Sequence, residues 1–289
     1  MQIGVVFPQT EIGNDAGALK EYAREVERMG YSHILIYDHV LGANTANRPD
    51  WRGPYKLETP FHEPFVLLSY FAAVTEKISF ATGVIILPQR QTALVAKQAA
   101  ELDVLSKGRL RLGIGIGWND VEYDALGENF YNRGARIAEQ VEVMRLLWTK
   151  EAVTFEGNWH RIPDAGINPM PIQRPIPVWF GGGANDTVLK RIAKLGDGWM
   201  PQWTPNDQGR EVLAKFHGFA RGYGRDPKSI GIEGRVNAQQ ARADKWGDHV
   251  ASWRAIGATH LGVNTMGDGL KGADAHLRRL EEFRKAVPA

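Results

Sequence analysis

The sequence contains no cysteine. That excludes disulfides, thiolate nucleophiles, iron–sulfur clusters and thiolate zinc sites within this chain. Charge of one sign is also missing: 35 Lys and Arg stand against 33 Asp and Glu, a formal net charge of +2 with the signs interspersed. Such a balance gives no electrostatic footprint for nucleic acid or a membrane surface, so the expected partner is a small molecule. No apolar stretch approaches the length of a membrane span, and the start, MQIGVVFPQT, lacks the basic head and long apolar stretch of a signal peptide. These absences predict a soluble, cytoplasmic protein.

Several catalytic signatures are absent as well. Neither G-x-S-x-G nor H-E-x-x-H occurs, the eight histidines are scattered, and the adjacent His62 and Glu63 have no third ligand in view. No metal site is expected. The glycines of GIGIGW, at 113, 115 and 117, do not have the G-x-G-x-x-G spacing of dinucleotide folds, and the turn after the first strand carries Pro8, Gln9 and Thr10 instead.

What the sequence does contain is alternation. Eight short apolar runs (IGVVF, HILIYD, ISFATGV, RLRLGIGIG, PVWFGG, GWMP, SIGIEGRV and HLGVNT) alternate with eight segments of helical period. Eight of each predicts a (β/α)8 TIM barrel, and 289 residues suit one such domain spanning 1–289. Gly30 and Gly257 end helices just before buried strands, as αβ loops require. Two insertions interrupt the pattern. One follows strand 2, from residue 40 to 62, and its Trp51, Tyr55 and Phe61 point to a lid ordered over a pocket. The other follows strand 4, where AVTFEGNWHRI reads as a hairpin turning at Glu156 to Asn158.

In a barrel the informative positions are the strand C-termini, which converge on the mouth. Strand 2 ends in Asp38 and His39, which are either a turn cap with a neighbour or a ligand acceptor with a proton exchanger. Strand 3 ends in Gly83 and Val84, with Arg90 beyond, and strand 4 in Gly117 and Trp118. The strand 4 glycines either make room for a flat ligand or permit a tight core. Strand 5 ends in Gly181, Gly182 and Gly183 before a helix, which is either a flexible turn or bare main chain closing on an anion.

Long blocks in order, among them MQIGVVFPQ, RMGYSHILIYDH, ISFATGVIILPQRQTALVAKQAAELDVLSKGRLRLGIGIGW and PIPVWFGGGANDTVLKRIAKLGDGWMPQ, resemble the luciferase-like monooxygenase superfamily, F420-dependent branch. The resemblance covers essentially the whole chain. It implies hydride transfer between the deazaflavin F420 and a small organic substrate, in a protein that is often a homodimer. It also implies a non-proline cis peptide at Gly83-Val84. Asp38, Gly83, Val84 and Gly117 would meet the cofactor, Gly181, Gly182 and Gly183 its phosphate, and Trp199, Met200 and Gln202 would lie nearby. His39 matches the histidine beside the reactive face. Where F420-dependent glucose-6-phosphate dehydrogenases carry a glutamate proton donor, this chain has Trp118, which cannot serve as an acid. The substrate pocket would draw on Trp51, Arg52, Tyr55, Arg90 and Trp118, the arginines being candidates for an anionic substrate. An FMN-dependent monooxygenase on the same barrel and a non-catalytic flavin-binding protein are the competing expectations.

Overall fold

The computed structural model describes residues 1–239 and 243–287. Its strands are β1 (Gln2–Val6), β2 (His33–Ile36), β3 (Ser79–Thr82), β4 (Ile85–Ile86), β5 (Leu110–Gly115), β6 (Val153–Glu156), β7 (Arg161–Ala165), β8 (Val178–Gly182), β9 (Gly198–Pro201), β10 (Gly231–Asn237) and β11 (His260–Asn264). The parallel order β3-β2-β1-β11-β10-β9-β8-β5 closes on itself through a β3–β5 pairing, giving an eight-stranded barrel. After Gly83 the chain continues the third strand as β4, which pairs with β5 alone. The Gly83–Val84 peptide at that break is cis, as the resemblance implies.

The helices are α1 (Ala16–Arg28), α2 (Pro64–Val74), α3 (Thr92–Leu105), α4 (Asp120–Ala125), α5 (Arg133–Thr149), α6 (Asp186–Leu195), α7 (Asp207–Gly222), α8 (Trp246–Ala255) and α9 (Gly272–Ala286). Helix α1 shows why they form. Asp15 caps its first turn by accepting from the Ala18 N–H at 2.7 Å, and Leu19, Tyr22, Ala23 and Val26 bury one stripe. Gly30, at φ +76°, then lets the chain turn into β2. Strand β2 is buried at all four positions, as a parallel strand covered on both faces must be.

Two hydrophobic cores result. The larger lies between strands and helices; fully buried Trp148 anchors it, donating its indole N–H to the Ala96 carbonyl at 2.9 Å. The smaller fills the barrel interior with Val6, Leu35, Ala81, Trp179, Met200 and Met266. At the N-terminal end of the barrel the filling is ionic. Glu233 faces His33 Nε2 and Arg111 Nη1, each at 2.8 Å, and the Arg111 guanidinium lies 4.2 Å from the Trp179 ring centroid.

The hairpin after strand 4 forms from β6 and β7, with β7 running on to Ala165. NDVEYDALG contains α4, a helix beyond the eight that the sequence pattern predicts. Its Asn119 cap and the Glu122 three residues on are a capping signature too short to register as a helical period.

Candidate active site

The site is built at the C-terminal ends of the strands. His39 follows β2, and its Nδ1 lies 3.2 Å from Glu122 Oε2 on α4. Glu122 has no exposed side-chain surface and also accepts from the backbone N–H groups of Val40 and Leu41 and from Gln89 Nε2. Burial raises its carboxyl, but the hydrogen bonds from His39, Val40 and Leu41 outweigh that and hold it below the ordinary glutamate value. A carboxylate can only accept, so Nδ1 carries a proton, and in the neutral imidazole Nε2 keeps the lone pair. The fold thereby selects one tautomer of His39.

The insertion after β2 packs over this histidine. Ring centroids of Tyr55, Phe61 and Trp118 lie 5.0, 4.8 and 5.5 Å from that of His39. Trp51 meets Trp118 at 5.6 Å, and both line a cleft of about 700 Å³ together with Arg52 and Asp120. Tyr55 lines the His39 side instead. A larger cleft, about 980 Å³, lies on the outer wall between α5, the hairpin and α6, away from the strand ends.

Arg90 departs from the expectation of a substrate contact. Its guanidinium pairs with Asp38 at 2.8 Å and Glu63 at 3.1 Å, so its charge is spent within the protein. Asp38 is correspondingly engaged, accepting from the Ile86 N–H at 3.1 Å as well as from Arg90. Burial pushes its carboxyl up, against the opposing pull of Arg90. Asp38 thus ties the end of β2 to the start of the turn after β4.

The glycines divide by what surrounds them. A Cβ on Gly113 would fall 1.8 Å from the Thr82 carbonyl oxygen, one on Gly115 2.5 Å from Val84 and one on Gly117 2.7 Å from Ile86. Gly117 also sits at φ +63°. These three glycines allow close packing of protein on protein, as the tight-core reading of GIGIGW expects. Gly181 and Gly182 are likewise crowded, by Val84 at 2.8 Å and Val188 at 2.6 Å. Within the triplet, Gly183 alone faces open space, with nothing within 4 Å.

Met200 lies in the interior cluster and Gln202 is exposed just beyond β9. Trp199 is not brought to the mouth. It is fully buried among the helices against Trp203 and Phe216, and donates its indole N–H to the Gly182 carbonyl at 3.1 Å. Strand alternation explains this, because Met200 and Trp199 point to opposite faces.

Sequence reasoning missed Glu122, which reads as an ordinary capping acid, and Gln9, whose buried amide nitrogen and oxygen both lack a partner. The Tyr37 hydroxyl and Gln89 Oε1 are also buried without a hydrogen bond. Among the described residues no three His, Asp or Glu side chains gather as metal ligands would, and no helix is long and apolar enough to cross a membrane.

A closed parallel barrel, a cis Gly–Val corner ending its third strand and a histidine–glutamate pair under an aromatic insertion define a luciferase-like TIM barrel. The family model for luciferase-like monooxygenases matches residues 1–286, and the chain belongs to that family. It is 38% identical over 198 residues to the uncharacterised Mycobacterium tuberculosis protein Rv0940c, covering 67% of this chain and 68% of that one. It is 34% identical over 205 residues to the F420-dependent glucose-6-phosphate dehydrogenase of Intrasporangium calvum, covering 68% of this chain and 56% of that one. Its fold matches a solved F420-dependent secondary alcohol dehydrogenase, in complex with an F420–acetone adduct, with a TM-score of 0.77 at 19% identity over 98% of this chain and 99% of that one.

Proposed function

We propose that this chain is an oxidoreductase that moves a hydride between F420 and a small organic substrate. The observation that carries the proposal is the His39–Glu122 pair, which presents one imidazole nitrogen as a proton acceptor in a largely dry setting. Unpartnered polar atoms at the mouth support a hydrogen-bonding guest. Gln9, Tyr37 and Gln89 hold buried polar atoms that lack partners, and Gly183 leaves bare main chain open to an approaching group.

Bound F420 supplies the hydride chemistry. The corner at Gly83 and Val84, the Gln9 amide and the main chain at Gly183 are the parts of this chain that would hold it. His39 Nε2 accepts a proton when substrate is oxidised and returns it in the reverse direction, while Glu122 keeps Nδ1 protonated and the ring oriented. Tyr55, Phe61 and Trp118 exclude water from that nitrogen. Trp118 has no acidic proton to give, so the acid–base work falls to His39.

Titration of the purified protein with F420 and with FMN tests the cofactor. Tight binding of F420 is the expected result; tight binding of FMN alone overturns the proposal in favour of a flavin monooxygenase. Consumption of bound reduced F420 across a panel of small carbonyl compounds separates an enzyme from a silent binder.

A further inference from the structure

Strand β10 alternates between two faces of the barrel wall. Ile232 and Val236 belong to the outer core, and a Cβ on Gly234 would strike Trp253 of α8 at 2.2 Å. Glu233 faces inward, where it is tied to His33 and Arg111. Arg235, two residues on, faces the same way and stands nearer the mouth. Its guanidinium carbon lies 5.2 Å from the centroid of the Tyr37 ring, which packs against the cluster inside the barrel.

Arg235 differs from the other inward arginines. Arg90 and Arg111 both have carboxylate partners, whereas Arg235 has none among the described residues and is exposed. Beneath it the Tyr37 hydroxyl is buried with no hydrogen bond. Tyr55 of the insertion is close to both: burial raises its hydroxyl pKa, Tyr37 pushes it the same way and Arg235 opposes them. The Tyr55 ring in turn lies 5.0 Å from His39.

A guanidinium in this position is stable while water reaches it. A guest that fills the mouth removes that water, and an unpaired buried charge is strongly unfavourable. A neutral guest leaves the penalty standing. One that brings a negatively charged oxygen cancels it through a charge-assisted hydrogen bond, with the Tyr37 O–H as a second donor.

We propose that Arg235 and Tyr37 form an oxyanion subsite that takes a negatively charged oxygen of the molecule filling the barrel mouth. The idea rests on the mouth being the site of the proposed activity. The oxygen is either a carboxylate of the substrate or an ionised ring oxygen of the cofactor.

The test compares wild type with Arg235→Met, Arg235→Lys and Tyr37→Phe in titrations with oxidised F420, FMN and benzoate, after thermal unfolding has shown that each variant is folded. Wild type is expected to bind at least one probe. Arg235→Met should weaken that probe by about 30-fold or more, and Arg235→Lys should restore much of the loss. Tyr37→Phe should weaken it about tenfold. Loss confined to benzoate assigns the oxyanion to the substrate, and loss confined to F420 assigns it to the ring. A wild type that binds FMN but not F420, with binding lost in Arg235→Met, rejects the F420 proposal while supporting the subsite. The subsite is overturned if wild type binds none of the three, or if Arg235→Met matches wild type within twofold for every probe.

Discussion

At the N-terminal end of the barrel, Glu233 meets His33 and Arg111 at 2.8 Å each, and His33 Nδ1 meets the Ser32 hydroxyl at 2.8 Å. At the C-terminal end, Gln9, Tyr37 and Gln89 keep buried polar atoms without partners, and Arg235 has no carboxylate partner among the described residues. Both ends bury polar groups inside one ring of strands. The first pairs its charges as ions within the protein and acts as a floor, although Arg111 Nη2 is left without a hydrogen bond. The second leaves donors and acceptors over, which a folded chain tolerates where a ligand or water completes them. The ends differ chiefly in charge: the floor sets Arg111 against Glu233, whereas Arg235 has no carboxylate partner among the described residues.

The largest expected effects separate chemistry from stability. Replacing His39 by Asn should lower turnover by about 10²–10⁴ with F420 binding largely kept, because the proton acceptor is lost. Wild-type turnover in that variant would remove His39 from the mechanism. Arg111→Met should act at the floor instead. It leaves Glu233 with half of its compensation, and removing one partner of a buried pair costs about 3–5 kcal/mol, which a urea unfolding curve would read. A change under 1 kcal/mol would show that the floor is not maintained by charge.

The glycines allow a finer division. Gly115→Ala drives a methyl group into Val84, 2.5 Å away, and should destabilise the fold by about 1–3 kcal/mol. Gly183→Ala meets nothing within 4 Å and should leave stability within about 0.5 kcal/mol while weakening cofactor binding. If the two substitutions act alike, the distinction between packing glycines and an open one fails.

A pH dependence is shared by both ends. Burial, reinforced by Arg279, lowers the pKa of His276 near the mouth to about 4; burial, reinforced by Arg111, lowers that of His260 at the floor to about 3. A free histidine titrates near 6.5, so between about pH 6.5 and these values the unfolded chain binds protons that the folded one refuses. Stability is therefore complete above about pH 6.5 and declines on acidification towards pH 4 and then 3. Urea midpoints at pH 7 and pH 4.5 should differ in that direction, and less so in His276→Asn. An unchanged slope in that variant would move the effect elsewhere.

Much of the mouth was legible before any coordinates. Asp38, His39, Gly83, Val84 and the 181–183 triplet stand at strand ends, and a strand end is marked locally by where an apolar run stops. The roles of several of these residues were not legible. Arg90 reads as an available cation but is held by Asp38, 52 positions earlier. The resemblance puts both Trp199 and Met200 near the cofactor, yet one step along a strand reverses the face and Trp199 lies in the outer core. Glu122 reads as the fourth residue of a capping pattern, although 83 residues separate it from the histidine it orients.

The sequence by itself determined the barrel and which residues stand at its strand ends, because strand count, helix period and glycine punctuation are properties of short segments. Tertiary structure alone decided which glycines serve packing and which one lies open, which arginine is paired and which is left over, and which nitrogen of His39 keeps its lone pair. Each of those outcomes depends on atoms brought together from distant parts of the chain, and a side chain's free capacity exists only after its neighbours have taken their share.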